Sequence, residues 1–179
     1  SRDTIPYGYP GEGIQFMHQY SVDKSIWIGG YPGLYRYFPD EEVFDDPFKN
    51  QAYKGFRLSF SRYMEDGFGN MFFSSGYNGE VVFIPKHSYS RDSVGYKVIG
   101  SHNSELRKGM NFGFLKDTLG NAFAASDFGL FKFDYEQETF ISVSLLEKSF
   151  SAKPIRISQD SFGNAFIGVE GGFSQFNLT

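Results

Sequence analysis

The sequence of 179 residues contains no cysteine, which excludes a disulfide framework, thiolate catalysis and zinc held by sulfur. Its three histidines, His18, His87 and His102, stand far apart, and none lies at ligand spacing from another. No apolar run approaches the roughly 18 residues that a membrane-spanning helix needs. We therefore predict a segment without metal, cofactor or membrane contact.

Basic residues and catalytic motifs are also scarce. Lysine and arginine number 17 against 21 aspartates and glutamates, which argues against the basic face of a nucleic-acid-binding protein. The sequence has no Walker motif, no His-Glu-x-x-His and no Gly-x-Ser-x-Gly elbow. We predict no nucleic-acid partner and no catalytic residue, although carboxylates on separate repeats could still form a pair.

What the chain does contain is a repeat built on aromatic residues, which make up 20% of the sequence. One aromatic residue recurs at intervals of 45, 51 and 43 residues, at Trp27, Phe72, Phe123 and Phe166. A period of about 40–50 residues is typical of propellers and other arrays. Each copy is therefore expected to form one unit of such an array.

Each copy has the pattern of a small antiparallel sheet. The third copy contains four short runs rich in aromatic and β-branched residues, at 112–115, 121–125, 130–133 and 139–143. One such sheet cannot cover both of its apolar faces, so the copies must stack, with the recurring aromatic residue in the wedge between neighbours. We predict an all-β fold, a β-propeller of four-stranded antiparallel blades, with about four blades in this chain.

An Asp-x-x-Gly-Asn turn joins the first two strands in three copies. The aspartate can accept hydrogen bonds from backbone N–H groups two residues on, and glycine tolerates positive φ. These structural positions are Asp66 with Gly69, Asp117 with Gly120, and Asp160 with Gly163.

The repeats divide the chain into a single propeller segment. We place repeat 1 at about 14–53, repeat 2 at 54–109, repeat 3 at 110–153 and repeat 4 at 154–179. Residues 1–13 are a linker or the edge strand of a preceding blade. Because repeat 4 lacks a predicted outer strand, we favour a partial ring of a larger propeller; the alternative is a closed four-bladed ring.

Two connections carry clustered charge. The loop 39–46 is acidic, and its spacing matches a solvated turn better than a calcium loop. The segment 85–109 is locally basic, and here we expect a solvated loop, with contact to an anionic ligand as the alternative.

Candidate ligand contacts lie in the loops between second and third strands, which share one rim of a propeller. Aromatic faces beside amide and carboxylate groups suit sugars, although turn formation alone also explains such residues. The candidates are Tyr31, Tyr77, Asn78, Asp127, Phe128 and Glu170.

The pattern Ile-x-x-x-Asp, Gly-Asn, aromatic-Ile-Gly and Gly-Leu-x-x-Phe resembles the two-component regulator propeller repeat. Such repeats form the periplasmic sensor region of bacterial hybrid histidine kinases. The resemblance implies a periplasmic or extracellular location, although the composition also suits the cytoplasm. It also implies a ligand such as an oligosaccharide, and further blades or another protein as partner.

This chain departs from the family pattern in two ways. It carries Phe where the family prefers Trp, except at Trp27, and its first copy lacks the Gly-Asn turn.

Three functions are therefore compared below. The first is a ligand sensor that is not itself an enzyme; its kinase would lie elsewhere in a longer chain. The second is a protein-interaction scaffold or small lectin-like binding module. The third is a propeller lyase or hydrolase, which would require His18, His87 or His102 in a pocket beside carboxylates.

Overall fold

The computed structural model describes residues 13–49, 59–75, 79–106, 111–126, 128–143, 154–169 and 172–178. Within these ranges the chain forms fifteen strands and one short 3-10 helix, Lys86–Ser88. Nowhere in the same ranges is there a helix with the length and apolarity that a bilayer crossing requires.

The strands fall into four sheets. The first sheet contains β1 (Gly13–Gln19), β2 (Ile26–Tyr31), β3 (Gly33–Phe38) and β4 (Val43–Asp45). The second contains β5 (Phe60–Glu65), β6 (Met71–Ser75), β7 (Val81–Ile84) and β8 (Lys97–Ile99). The third contains β9 (Asn111–Lys116), β10 (Ala122–Ser126), β11 (Gly129–Asp134) and β12 (Thr139–Ser142). The fourth contains β13 (Pro154–Gln159), β14 (Asn164–Val169) and β15 (Gly172–Asn177).

Every sheet is an antiparallel meander whose spatial order follows the chain. Three sheets have four strands, and the described residues of the fourth sheet form three. The predicted fold class, an all-β propeller with about four blades, is confirmed. The repeat boundaries stay a prediction.

The sheets stand side by side around their first strands. β1 lies beside β5, β5 beside β9, and β9 beside β13. Over the described ranges β13 makes no comparable contact with β1, so the four sheets form an arc with two end faces.

Large side chains that point to alternate faces of a second strand fill the space between neighbouring sheets. Phe72 on β6 packs against Phe133 of the third sheet, with ring centroids 4.9 Å apart. Its neighbour Phe73 faces the other way and packs against Trp27 of the first sheet at 5.2 Å. Successive side chains on a strand point to opposite faces, so one strand serves two interfaces.

The repeated turns have one geometry. Asp117 Oδ1 accepts hydrogen bonds from the N–H groups of Leu119 and Asn121 at 3.0 and 2.8 Å, and Asn121 Nδ2 donates to Oδ2 at 2.6 Å. Gly120 has φ 89°, in the left-handed region. Asp66 and Asp160 make the corresponding three bonds.

The first copy forms its turn differently. The residue directly after β1 is Tyr20, whose hydroxyl donates to the Gly69 carbonyl of the next sheet at 2.7 Å. Asp23 instead accepts from Ser25, through N–H at 3.0 Å and hydroxyl at 2.6 Å. The first copy thus closes its turn through Asp23 and Ser25, and Tyr20 adds a contact to the next sheet.

Candidate functional site

Two of the predicted rim residues lie in the described part of the chain. Tyr31 is 51% exposed at the end of β2, and Phe128 is 46% exposed before β11. They belong to the first and third sheets, so the second sheet separates them. Tyr77, Asn78, Asp127 and Glu170 lie outside the described residues. The predicted rim site therefore stays a prediction.

A cleft of about 500 Å³ opens at the outer side of the first sheet, against the connection between β7 and β8. Val43, Phe44 and Pro47 supply apolar surface on the first-sheet side. Six charged residues also line the cleft: Arg36, Asp45, Asp46, Lys49, Arg91 and Asp92. The cleft combines apolar walls with both hydrogen-bond donors and acceptors.

Arg36 forms the floor of this cleft and is only 2% exposed. Its Nη2 donates to Asp45 Oδ2 at 2.6 Å and to the Arg91 carbonyl at 2.5 Å. Its Nη1 donates to the Tyr89 hydroxyl at 3.1 Å and to the Ser90 carbonyl at 3.3 Å. One buried guanidinium therefore holds both walls in place, while its Nε–H has no partner among the described residues.

The guanidinium groups of Arg36 and Arg91 both lie over aromatic rings. The Arg36 and Arg91 guanidinium carbons lie 4.7 and 4.4 Å from the Phe38 ring centroid. Arg36 also lies 5.8 Å from the ring of Trp27. Cation–π attraction offsets part of the cost of placing these charges over apolar surface. Arg91 is paired with Glu41 at the exposed side.

The hydroxyl of Tyr89 links this cation to an acid. Tyr89 donates to Asp23 and accepts from Arg36. Burial acts to raise the pKa of Asp23, but hydrogen bonds from Ser25 and Tyr89 outweigh it and the pKa is lowered. Burial and the hydrogen bond to Asp23 raise the pKa of Tyr89. The Tyr89 side chain therefore remains a neutral donor.

A second polar cluster lies near the inner strands. His18 Nε2 is 3.5 Å from Glu65 Oε2, and the imidazole lies on the Tyr63 ring with centroids 4.1 Å apart. Glu65 also accepts hydrogen bonds from the N–H and hydroxyl of Ser21. Burial lowers the pKa of His18, although Glu65 acts to raise it, and Lys116 lowers it further.

The sequence analysis named the two charged connections that meet at the cleft but expected them to be solvated, and it did not single out Arg36. The available signal was that an acidic loop, 39–46, and a basic segment, 85–109, occur in adjacent repeats. The structure brings them together through Arg91 and Glu41. Only the three-dimensional contact between sheets reveals Arg36, which lies in a strand and has no charged neighbour in sequence.

The described side chains contain no group of three or more His, Asp or Glu residues placed to hold a metal ion. His18 on β1 contacts Glu65 on β5, and it does not line the cleft.

No protein-family model and no curated protein sequence matches this chain. Solved structures do. The extracellular domain of a hybrid two-component system from B. thetaiotaomicron is 20% identical, with a TM-score of 0.71, over 92% of this chain and 22% of that one. The extracellular domain of a one-component system from the same organism is 19% identical, with a TM-score of 0.68, over 97% of this chain and 22% of that one.

A streptogramin B lyase is 10% identical, with a TM-score of 0.64, over 96% of this chain and 57% of that one. The chain thus spans about a fifth of the two extracellular domains, at 22% of each. At these identities, the comparisons establish a shared propeller fold and no more.

Proposed function

We propose that this chain is a segment of an extracellular ligand-sensing propeller, non-enzymatic itself, that responds to a carbohydrate and signals through a kinase in a longer protein. The observation that carries the proposal is the likeness to the extracellular domain of a hybrid two-component system, with a TM-score of 0.71 over 92% of the chain. The repeat resemblance points to the same class of protein.

The end faces of the arc support further blades as partners. Trp27, Phe72 and Phe123 are buried against the next sheet, whereas Phe166, at the same position in the fourth sheet, is only half-buried. On the following strand Phe173 is 70% exposed. An exposed apolar face of this kind marks an interaction surface, and another blade would cover it as the earlier blades cover each other.

The test of this function is the encoding gene. We expect its reading frame to continue into more copies of the repeat, then a membrane-spanning helix and a kinase. A frame that encodes these repeats with neither a membrane span nor a signalling domain would contradict the proposal and favour the scaffold or lectin-like module.

A second candidate, a propeller lyase or hydrolase, is favoured by the position of His18 beside Glu65 at 3.5 Å. A carboxylate that orients a histidine is a common part of general acid–base sites. The test is incubation of the chain with streptogramin B, followed by chromatography and fragmentation mass spectrometry, because an elimination that opens a ring leaves the mass unchanged. A ring-opened product that is lost in His18→Ala would establish the enzyme, and a substrate with unchanged retention and fragmentation would exclude this lyase activity.

A further inference from the structure

We infer that the cleft between the first sheet and the β7–β8 connection binds a neutral, hydroxyl-rich small molecule, a sugar or another polyol. This assigns a ligand to a place other than the predicted rim loops. In ligand class, the inference rests on the proposed carbohydrate response, but in location it stands alone. Four observations carry it: preorganisation, charge balance, apolar surface and size.

Arg36 preorganises the cleft by contacting both of its walls. Arg36, 2% exposed, fixes Asp45 on one wall and the carbonyl groups of Ser90 and Arg91 on the other. Burying an ion pair is often no better for stability than apolar packing of the same volume. Its value here is therefore positional, because walls held before a ligand arrives lower the ordering cost of binding.

The lining itself carries three cations, Arg36, Lys49 and Arg91, and three carboxylates, Asp45, Asp46 and Asp92. Arg36 pairs with Asp45, and Arg91 pairs with Glu41, which lies outside the lining and adds one negative charge beside it. Asp46 caps the N–H of Phe48 at 3.0 Å. Among the described residues, the side chains of Lys49 and Asp92 make no hydrogen bond or salt bridge, and they carry opposite signs. Asp92 interacts with Arg91 only through the longer-range attraction of opposite charges. A lining with no excess charge does not select an anion or a cation, whereas a ligand with neighbouring hydroxyl groups can donate to Asp92 and accept from Lys49.

The shape of the cleft agrees with this class. Its volume of about 500 Å³ falls within the roughly 300–1,000 Å³ of small-molecule sites. Val43, Phe44 and Pro47 give an apolar surface for the CH groups of a sugar ring. The apolar wall can therefore contact the CH groups of the ligand, and the polar side chains can hydrogen-bond to its hydroxyl groups.

The experiment is isothermal titration calorimetry of the chain with three probes: maltotriose, the open-chain polyol sorbitol and the anionic trimer of galacturonic acid. We expect a neutral probe to bind more tightly than the anionic one. Preference for maltotriose over sorbitol would identify a sugar, and the reverse a linear polyol. Equal or tighter binding of the anionic trimer would overturn the neutral class.

Variants locate the binding. Asp92→Ala and Lys49→Ala remove exposed side chains at the mouth and should each weaken affinity by about tenfold, the size of a lost hydrogen bond to a charged group. Asp40→Ala, an exposed carboxylate nearby that does not line the cleft, is the matched control and should stay within about twofold.

The outcomes separate this inference from the proposed function. If binding is lost in Tyr31→Ala or Phe128→Ala but unchanged in the cleft variants, the cleft inference is wrong and carbohydrate sensing stands. If no probe binds, the cleft inference is wrong, and the sensor proposal is decided by the reading frame. Loss in the cleft variants alone supports the inference.

Discussion

Arg36 shows, at the scale of one residue, how charge is placed inside this fold. Its guanidinium lies over the rings of Phe38 and Trp27 and makes four hydrogen bonds. Asp45 is the one ionised acceptor among them, and its side chain is 31% exposed. The guanidinium of Arg36 is therefore more desolvated than the carboxylate of Asp45, and it is the charge that most needs its partner.

Removing the exposed partner should leave a buried charge without its counter-ion. We expect Asp45→Ala to lower the free energy of unfolding by about 1–3 kcal/mol, because a buried donor loses its acceptor. Urea unfolding measures the change, and Asp40→Ala is the control with little expected effect. A loss in Asp45→Ala no larger than in the control would mean that water replaces the carboxylate without cost.

His18 gives a prediction on pH. Its folded pKa lies below the ordinary 6.5 because burial disfavours the charged imidazole, with Glu65 opposing and Lys116 adding to the shift. As pH falls below 6.5 the unfolded chain takes up the proton first, so stability is lost on acidification from 6.5 toward the lower folded pKa. Urea unfolding across this window should show the decline.

The control for this prediction is His18→Phe, which keeps an aromatic ring against Tyr63 but cannot titrate. Its stability should depend less on pH over the same window. The lowered pKa values of Asp23 and Asp160, whose ordinary value is 3.8, affect stability only in more acidic solution. An identical pH dependence in the variant and the parent would show that His18 is not responsible.

At the scale of the element, the glycine of the repeated turn is constrained in two ways. Gly120 has φ 89°, and a Cβ there would lie 2.5 Å from the Cα of Gly67 in the neighbouring turn. The turns of the second and third sheets also share a hydrogen bond of 3.0 Å from Gly67 N–H to the Gly120 carbonyl. The turn is thus part of the contact between sheets.

Gly120→Ala should therefore cost more than backbone strain alone. Gly129 is the matched control, since it has φ 130° but nothing within 4 Å of an added Cβ. We expect Gly120→Ala to lower the melting temperature clearly more than Gly129→Ala, because only the former adds a backbone clash to the strain. Equal losses would indicate that the neighbouring turn moves away freely.

The strands were predictable from the sequence because each is a short run of apolar residues bounded by turn residues. Thr139–Ser142, for instance, corresponds to the predicted run at 139–143. The inter-sheet partners were not predictable in this way. Glu65 accepts from Ser21, and Arg36 contacts the backbone of Ser90, through packing of different repeats. Local pattern carries no information on such pairs, which is why the rim was predicted and the cleft was not.

At the scale of the whole molecule, the burial of the recurring aromatic residue distinguishes the fourth sheet from the three sheets before it. Phe123 is 6% exposed and packs in one cluster with Ala165 of the fourth sheet. Phe166 holds the same position in its own sheet but is half-buried, and its ring lies near Phe173, with centroids 6.2 Å apart.

This difference gives a paired prediction. Phe123→Ala should cost about 3–5 kcal/mol, as for a packed core phenylalanine, whereas Phe166→Ala in the isolated chain should cost less. Chemical denaturation of the two variants measures both. If the losses are equal, the outer face of the fourth sheet is covered, for example by a second copy of the chain.

The arc of sheets also predicts an uneven distribution of local stability. In a stacked array each unit is stabilised by its neighbours, so a sheet with two neighbours opens less often than a sheet with one. β6 and β10, in the second and third sheets, are buried along their whole length, whereas β1 exposes Ile14 and Met17. Hydrogen exchange followed by mass spectrometry should therefore show slow exchange in β6 and β10 and faster exchange in β1 and β15.

The expected order holds only for an open arc, because closure of the ring would bury β1 against the fourth sheet and make protection uniform. Uniform protection in a monomer would therefore favour the closed four-bladed ring over a segment of a larger propeller.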